Sequence, residues 1–271
     1  MNEKLGWFEN NWGNEDELFI PLLQKGITRG NGIFETILIL QGKPKLLKKH
    51  LKRWQKSAAL LNMKSPPSAQ FIEPLIHEAI ERIQLNEKDG LLRVNWSKKN
   101  IDWQERKEPN ENDYYFWLEV NHNKPSFESI STMISKKEQR NAKSLISQCK
   151  SFAYLQSFQA KDEAQLAGYD DALLLSTNGK ICCGSTSNLI VKRNDIWLTP
   201  SLESGCLPGI MRQQGIEKGI IQEASISLKP ELNDQWLLIN SLSCRPIKNI
   251  ENHTLDVYKY PKDFWISLLS P

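Results

Sequence analysis

Two short stretches constrain this chain more than any other part of it: Gly184-Ser185-Thr186-Ser187-Asn188 and Leu207-Pro208-Gly209-Ile210-Met211-Arg212. Glycines and small hydroxyl residues let backbone amides come close to a bound group. A Pro-Gly turn that runs into a helix leaves the first N–H groups of that helix outside the helical ladder, which suits a phosphate. Upstream lies Cys149-Lys150-Ser151-Phe152-Ala153-Tyr154-Leu155, a lysine among small and apolar neighbours just before a helical pattern. A lysine becomes a nucleophile or base when burial lowers its pKa. Lys150 is therefore the candidate catalytic residue, with a solvated surface lysine as the plainer alternative.

The hydrophobic pattern around these stretches alternates between two periods. Leu47, Leu51, Trp54, Ala58 and Leu61 make one apolar stripe and predict a helix over 46–62. Phe71, Leu75, Ala79, Ile80 and Ile83 predict a second over 69–85, and further helices are expected over 154–167 and 211–221. Strands are expected around a loop in 19–39, then over 91–96, 114–120, 129–134 and 236–240. Asn178-Gly179 and Arg193-Asn194-Asp195 read as hairpin turns between 172–176 and 181–183, and between 189–192 and 196–199. The segment Ser97–Asp113 is long and charged, as functional loops often are. The fold class is α+β. The polar stretch 121–126 holds a proline and marks a linker, which divides the chain into a small N-terminal α/β domain, 1–122, and a larger C-terminal mixed α/β domain, 123–271, that carries Lys150.

Length and charge narrow the class. A chain of 271 residues, 25% charged and 39% hydrophobic, is a soluble globular protein by composition. Its net charge of +3 favours small anionic ligands and is too weak to argue for nucleic acid. No stretch approaches a membrane span, and Met1 to Trp7 reads as no signal peptide. Five cysteines without metal-ligand spacing suggest neither a disulfide framework nor a metal site, and a reducing cytoplasm is the expected setting.

Other candidates carry two readings each. Arg53, in His50-Leu51-Lys52-Arg53-Trp54, lies beside the apolar stripe; it either turns inward to hold a phosphate through two parallel hydrogen bonds or packs its stem on Trp54. His50 reads as structural. Arg93, Lys98 and Lys99 form a basic cluster that could meet substrate carboxylates or stay solvated. Cys183 leads into the glycine loop and could be an inert buried thiol. Ser241 and Ser243 follow a strand and could offer hydroxyls to a phosphate.

Five motifs in this order resemble the class IV aminotransferase family, the pyridoxal-phosphate enzymes of fold type IV. Thr28-Arg29-Gly30-Asn31-Gly32-Ile33-Phe34-Glu35-Thr36 is similar to the family's R-G-D-G-x-F-E-T, and His50 to Arg53 to its H-x-x-R-L helix. Lys150 to Leu155 is similar to K-S-L-N-Y-L, and the two opening stretches match its two best-known loops. The resemblance spans Gly26 to Pro246. It implies a two-domain fold like that of D-amino-acid aminotransferase, pyridoxal 5'-phosphate as cofactor, a small anionic substrate and a homodimer. It further implies that Lys150 carries the cofactor covalently. Arg53 would clamp the phosphate, with the amides of Ile210 and Met211 after Gly209 and a hydroxyl of Ser241 or Ser243. Tyr154, Ser187 and Asn188 would line the cofactor, and Arg93 and Lys98 would take substrate carboxylates.

The chain departs from the pattern at four places. The family's glutamate, which pairs with the pyridine nitrogen, is Cys183; its asparagine is Ala153; its strand-end Arg-Gly is Lys98-Lys99; and the loop after Asn240-Ser241 is one residue short. Of the activities in the family, 4-amino-4-deoxychorismate lyase is the one expected. A branched-chain or D-amino-acid aminotransferase, or a relative without catalysis, is the alternative.

Overall fold

The computed structural model describes residues 4–21, 25–99 and 110–270. The chain forms two compact units: Met1–Lys124 with Cys149–Ala153, and Pro125–Gln148 with Tyr154–Pro271.

The first unit is built on a six-stranded antiparallel sheet. Its strands are β1 (Lys4–Phe8), β2 (Asn11–Gly13), β3 (Gly32–Leu40), β4 (Lys43–Pro44), β5 (Gly90–Lys98) and β6 (Tyr114–His122), ordered β2-β1-β6-β5-β3-β4. Three helices complete it: a short α1 (Lys25–Thr28), α2 (Leu47–Leu60) and α3 (Ala69–Arg82). Alternation along the strands sends Ile33, Ile37 and Ile39 to one face with Leu92, Val94 and Trp96. Leu51, Trp54 and Ala58 of α2 and Ile72, Ile76 and Ala79 of α3 pack on that face.

Two local features differ from the expectation. Among the described residues the 19–39 region holds one strand rather than several: residues 19–21 are outside regular structure, and from 25 onward α1 precedes β3. Gly26 allows that path, because a Cβ there would lie within bonding distance of the Lys98 carbonyl. The β1–β2 hairpin turns through Glu9 and Asn10, both at positive φ (46° and 66°), as a primed hairpin turn demands. Nothing in its alternation signalled it.

The segment with Lys150 joins the first unit. The Phe34 N–H donates to the Lys150 carbonyl at 2.9 Å and the Phe152 N–H to the Gly32 carbonyl at 2.8 Å, so Ser151 bridges Ile33 antiparallel. The division of the sequence at 122/123 leaves Lys150 in the second half; these long-range backbone bonds group it with the first.

The second unit is a nine-stranded mixed sheet. It holds β7 (Ile130–Arg140), α4 (Leu155–Leu166), β8 (Asp171–Ser176), β9 (Ile181–Gly184), β10 (Asn188–Arg193) and β11 (Ile196–Thr199). Then come α5 (Ile210–Glu217), β12 (Ile221–Glu223), β13 (Gln235–Asn240), β14 (Ser243–Ile250), β15 (His253–Thr254) and α6 (Pro261–Leu269). The order is β12-β11-β10-β13-β14-β7-β8-β9, with β15 on β14. β9 also pairs β10 through Cys183 and Asn188, so the path closes on itself there. Leu173, Leu189, Val191, Leu238 and Ile247 share one core; Ala172, Leu174, Cys182 and Cys183 pack with Ala160 and Ala164 of α4 in another.

Gly32 admits the Phe152 ring, because a Cβ there would lie 2.3 Å from it. Gly32→Ala should therefore dislodge the lysine segment while the sheet persists. Hydrogen exchange checks it: protection at the Phe34 and Phe152 amides is expected to drop about tenfold or more, while protection at Val94 and Leu118 holds.

Candidate active site

In the first unit the site begins with Glu35. It lies in an apolar strand with no exposed surface, so its carboxylate needs partners. Arg53 donates from Nε to Oε1 at 2.7 Å and from Nη2 to Oε2 at 2.6 Å, and His50 meets Oε2 through Nδ1 at 2.7 Å. His50 and Arg53 stand three residues apart on α2 and so share a face. Burial pushes the Glu35 carboxyl upward, but Arg53 and His50 outweigh it and hold the pKa at about 2. Burial likewise lowers His50, and the charges of Arg53 and Lys150 add to that against the pull of Glu35. An ionised Glu35 accepts only, so a neutral His50 donates from Nδ1.

Arg53 thus makes a parallel pair of hydrogen bonds with Glu35, a partner the sequence reading did not name. The physical reason is proximity across the core: β3 presents a buried carboxylate to the face of α2 on which Arg53 sits.

Lys150 is half-buried, with Nζ 4.3 Å above the Phe34 ring centroid. Arg93 stacks on the same ring, with Cζ at 3.9 Å, and its Nε donates to Asn95 Oδ1 at 2.9 Å. Two cations on one ring favour an anionic ligand. Lys98 does not join them. Strand alternation puts Arg93, Asn95 and Ser97 on one face of β5 and Lys98 on the other, with Leu92, Val94 and Trp96. The basic cluster read from the sequence is therefore split. Lys99 lies over Tyr115 at 4.7 Å. Positions 100–109 of the charged Ser97–Asp113 segment lie outside the described residues.

In the second unit the glycine loop is the hairpin that joins β9 to β10 at the point of closure. Ser187 and Asn188 are buried and Thr186 is exposed. Asn188 Nδ2 donates to the Leu207 carbonyl at 2.9 Å, which ties this loop to the Pro-Gly turn. The contact is so close that a Cβ at Gly209 would lie 1.9 Å from Asn188 Oδ1. Gly209 is the N-cap of α5 and no side chain caps it, so the amides of Ile210 and Met211 begin the helix without a side-chain acceptor. Asn240 organises the hydroxyls: its Nδ2 donates to Ser187 Oγ at 3.0 Å, and its Oδ1 accepts from Ser243 Oγ at 3.0 Å and from the Leu242 N–H at 2.8 Å. Ser241 is half-buried in the same turn. Helix-start amides and serine hydroxyls with a glycine cradle are a donor set that fits a phosphate.

Cys183 is buried at the closure pair. A hydrogen bond from the Cys182 thiol, followed by Arg140, lowers its pKa against the opposing effect of burial. Tyr154 is the half-buried N-cap residue of α4 and lies within electrostatic reach of Arg140.

Three residues escaped the sequence reading: Glu35, Asn240 and Arg140. Glu35 had a signal, since a charge inside the run Ile33-Phe34-Glu35-Thr36-Ile37 must be paired. Asn240 reaches Ser187 and Arg140 reaches Ser157 and Ser185 through contacts distant in sequence, and these had none.

Glu35→Gln should destabilise the first unit by about 3–5 kcal/mol, because Arg53 loses its buried counter-charge; urea unfolding measures this. Glu35 and His50 are both held below their unfolded values, so unfolding takes up protons. The Glu35 contribution is complete above pH ~4.5 and that of His50 above pH ~6.5; the Glu35 part is lost as pH falls toward about 2. The urea midpoint should drop between pH 7 and 5, and less so in His50→Asn.

The family model for amino-transferase class IV matches residues 32–250. A protein of Schizosaccharomyces pombe, provisionally named an aminodeoxychorismate lyase, is 29% identical over 216 residues, 78% of this chain and 86% of that one. A protein of Rickettsia conorii, provisionally named a branched-chain-amino-acid aminotransferase, is 30% identical over 219 residues, 78% of this chain and 72% of that one. The crystal structure of a Brucella abortus aminotransferase bound to pyridoxal phosphate superimposes with a TM-score of 0.85 at 19% identity, covering 98% of this chain and 97% of that one.

Proposed function

Because the chain belongs to the class IV aminotransferase family of pyridoxal-phosphate enzymes, we propose that it is a lyase that converts 4-amino-4-deoxychorismate to 4-aminobenzoate and pyruvate. One observation carries the choice of lyase. The side chain before the glycine loop is a thiol, Cys183, and among the described residues no carboxylate replaces it at that position. Bound pyridoxal phosphate supplies an electron sink, and a carboxylate beside its ring nitrogen strengthens that sink. Elimination of the enolpyruvyl group leaves an aromatic ring, so aromatisation drives the reaction and a weaker sink suffices.

The chain's own residues take these roles. Lys150 supplies the amine that holds the cofactor, then takes the proton from the amine-bearing carbon of the substrate. Arg93, stacked on Phe34 beside Lys150, binds a substrate carboxylate. The amides of Ile210 and Met211, with Ser187 and Ser243, hold the phosphate. Arg53 adds positive charge while Glu35 fixes its orientation. We further infer a homodimer in a reducing cytoplasm. The exposed stripe Leu155, Phe158 and Leu166 on α4 and five free thiols support this, and light-scattering mass tests the dimer.

Protein incubated with pyridoxal phosphate and aminodeoxychorismate should release 4-aminobenzoate and pyruvate. Lys150→Ala should lose both products and the visible absorbance of the bound cofactor; an active Lys150→Ala enzyme sinks the assignment. The Rickettsia relative favours a second reading, an aminotransferase. In that case an amino acid alone would convert the cofactor spectrum and no 4-aminobenzoate would form. Gly209→Ala should weaken cofactor binding about tenfold or more, since its Cβ would displace Asn188 from Leu207; a fluorescence titration with pyridoxal phosphate reads this out.

A further inference from the structure

Asn95, on β5, is a polar side chain with no exposed surface, two residues along the strand from Arg93. Residues two apart on a strand share a face. The register sets Asn95 between Phe34 on β3 and Trp117 on β6, and Arg93 beside Glu119. The side chains of this face close into a ring. Arg93 stacks on Phe34 with Cζ 3.9 Å from its centroid, and its Nε donates to Asn95 Oδ1 at 2.9 Å. Asn95 Nδ2 donates to Glu119 Oε1 at 3.1 Å, and Trp117 Nε1 donates to the same oxygen at 2.9 Å. Trp117 meets Phe152 with centroids 5.7 Å apart, and Phe152 meets Phe34 at 6.1 Å, which completes the circuit beside Lys150.

These partners leave Asn95 one orientation. A guanidinium only donates and a carboxylate only accepts, so the amide turns its oxygen to Arg93 and its nitrogen to Glu119. A reversed amide would set donor against donor at Arg93 and acceptor against acceptor at Glu119, and buried groups left without a partner are costly. Glu119 is exposed, but two donors on one oxygen hold its carboxylate in place. The carboxylate thus sets the direction of the amide, and the amide sets the direction of the guanidinium.

The order of the relay has an electrostatic consequence. The acceptor on Arg93 Nε is neutral, and the carboxylate that anchors the relay stands one side chain further off. A carboxylate at position 95 would fill the same volume and accept the same hydrogen bond. It would also set a full negative charge directly on the guanidinium and weaken the pull of Arg93 on an incoming anion. We propose that Asn95 is a positioning residue of the substrate site: it aims Arg93 at a substrate carboxylate and, being neutral, keeps the counter-charge of Glu119 off the guanidinium. This rests on the reading of Arg93 as the residue that binds that carboxylate.

The test moves one charge and keeps the hydrogen bonds. In Asn95→Asp/Glu119→Gln the new carboxylate accepts from Arg93 Nε, the new amide donates to that carboxylate, and Trp117 keeps an oxygen acceptor; the net charge is unchanged. Binding is measured by titration calorimetry on the protein loaded with pyridoxal phosphate, with 4-aminobenzoate and 2-oxoglutarate as separate probes. The double variant should keep the wild-type urea midpoint and bind the probe about tenfold or more weakly, as Arg93→Met does. Glu119→Gln alone removes the charge and keeps the acceptor oxygen, and should tighten binding about twofold. A double variant that folds and binds like wild type overturns the proposal, because an amide that only fills space and satisfies its neighbours gives that result. If the double variant does not fold, Glu119→Gln decides: binding unchanged or weakened overturns the proposal. If 4-aminobenzoate does not bind wild type, while 2-oxoglutarate binds and follows the expected order among the variants, the proposal stands and the lyase reading falls. If neither probe responds to Arg93→Met, the proposal falls together with the carboxylate role of Arg93.

Discussion

A carboxylate sealed inside an apolar strand has to be paired, and the first unit is arranged around that requirement. Glu35 faces the helix that covers its sheet, and only a helix that presents Arg53 and His50 on one face can meet both oxygens. The cluster links β3 to α2 at the point where β3 also bonds the Lys150 segment through Phe34. Satisfying one buried charge therefore sets the position of a second cation and, through the same strand, of the lysine. The charge of Lys150 is felt at His50, so these groups form one electrostatic unit.

The second unit solves a similar problem with different residues. Its sheet closes where Cys183 pairs with Asn188, and the hairpin between them is the loop that carries Ser185 and Ser187. Asp171 holds that hairpin from below through Ser185, Asn240 holds it through Ser187, and Asn188 fastens it to the turn before α5. A loop fixed by three side chains can present amides and hydroxyls without reorganising when an anion arrives, which is what electrostatic preorganisation requires.

How much of this could be read beforehand depended on range. The stripe of Leu47, Leu51, Trp54 and Ala58 announced α2, which runs Leu47–Leu60. The Asn178-Gly179 turn lies between strands that pair antiparallel, as a hairpin requires. The family motifs named Lys150, the glycine loop and the Pro-Gly turn, and the chain belongs to that family. Arg53 was singled out as an inward-facing arginine and is buried; its paired hydrogen bonds go to Glu35, 18 residues away on a strand, a contact the local pattern did not show. Arg93 and Lys98 were grouped by their nearness in sequence, and the two-residue period of the strand separates them.

The sequence by itself determined the local periods, the turn residues, the order of the five motifs and thus the family and its cofactor. Those follow from steric preferences that act over a few neighbouring residues. Tertiary structure alone decided which charges meet, Arg53 with Glu35 and Arg245 with Asp171, and it set the lysine segment against β3. Such pairings join residues from different strands and helices. Their energies depend on burial and distance, which exist only once the chain has packed.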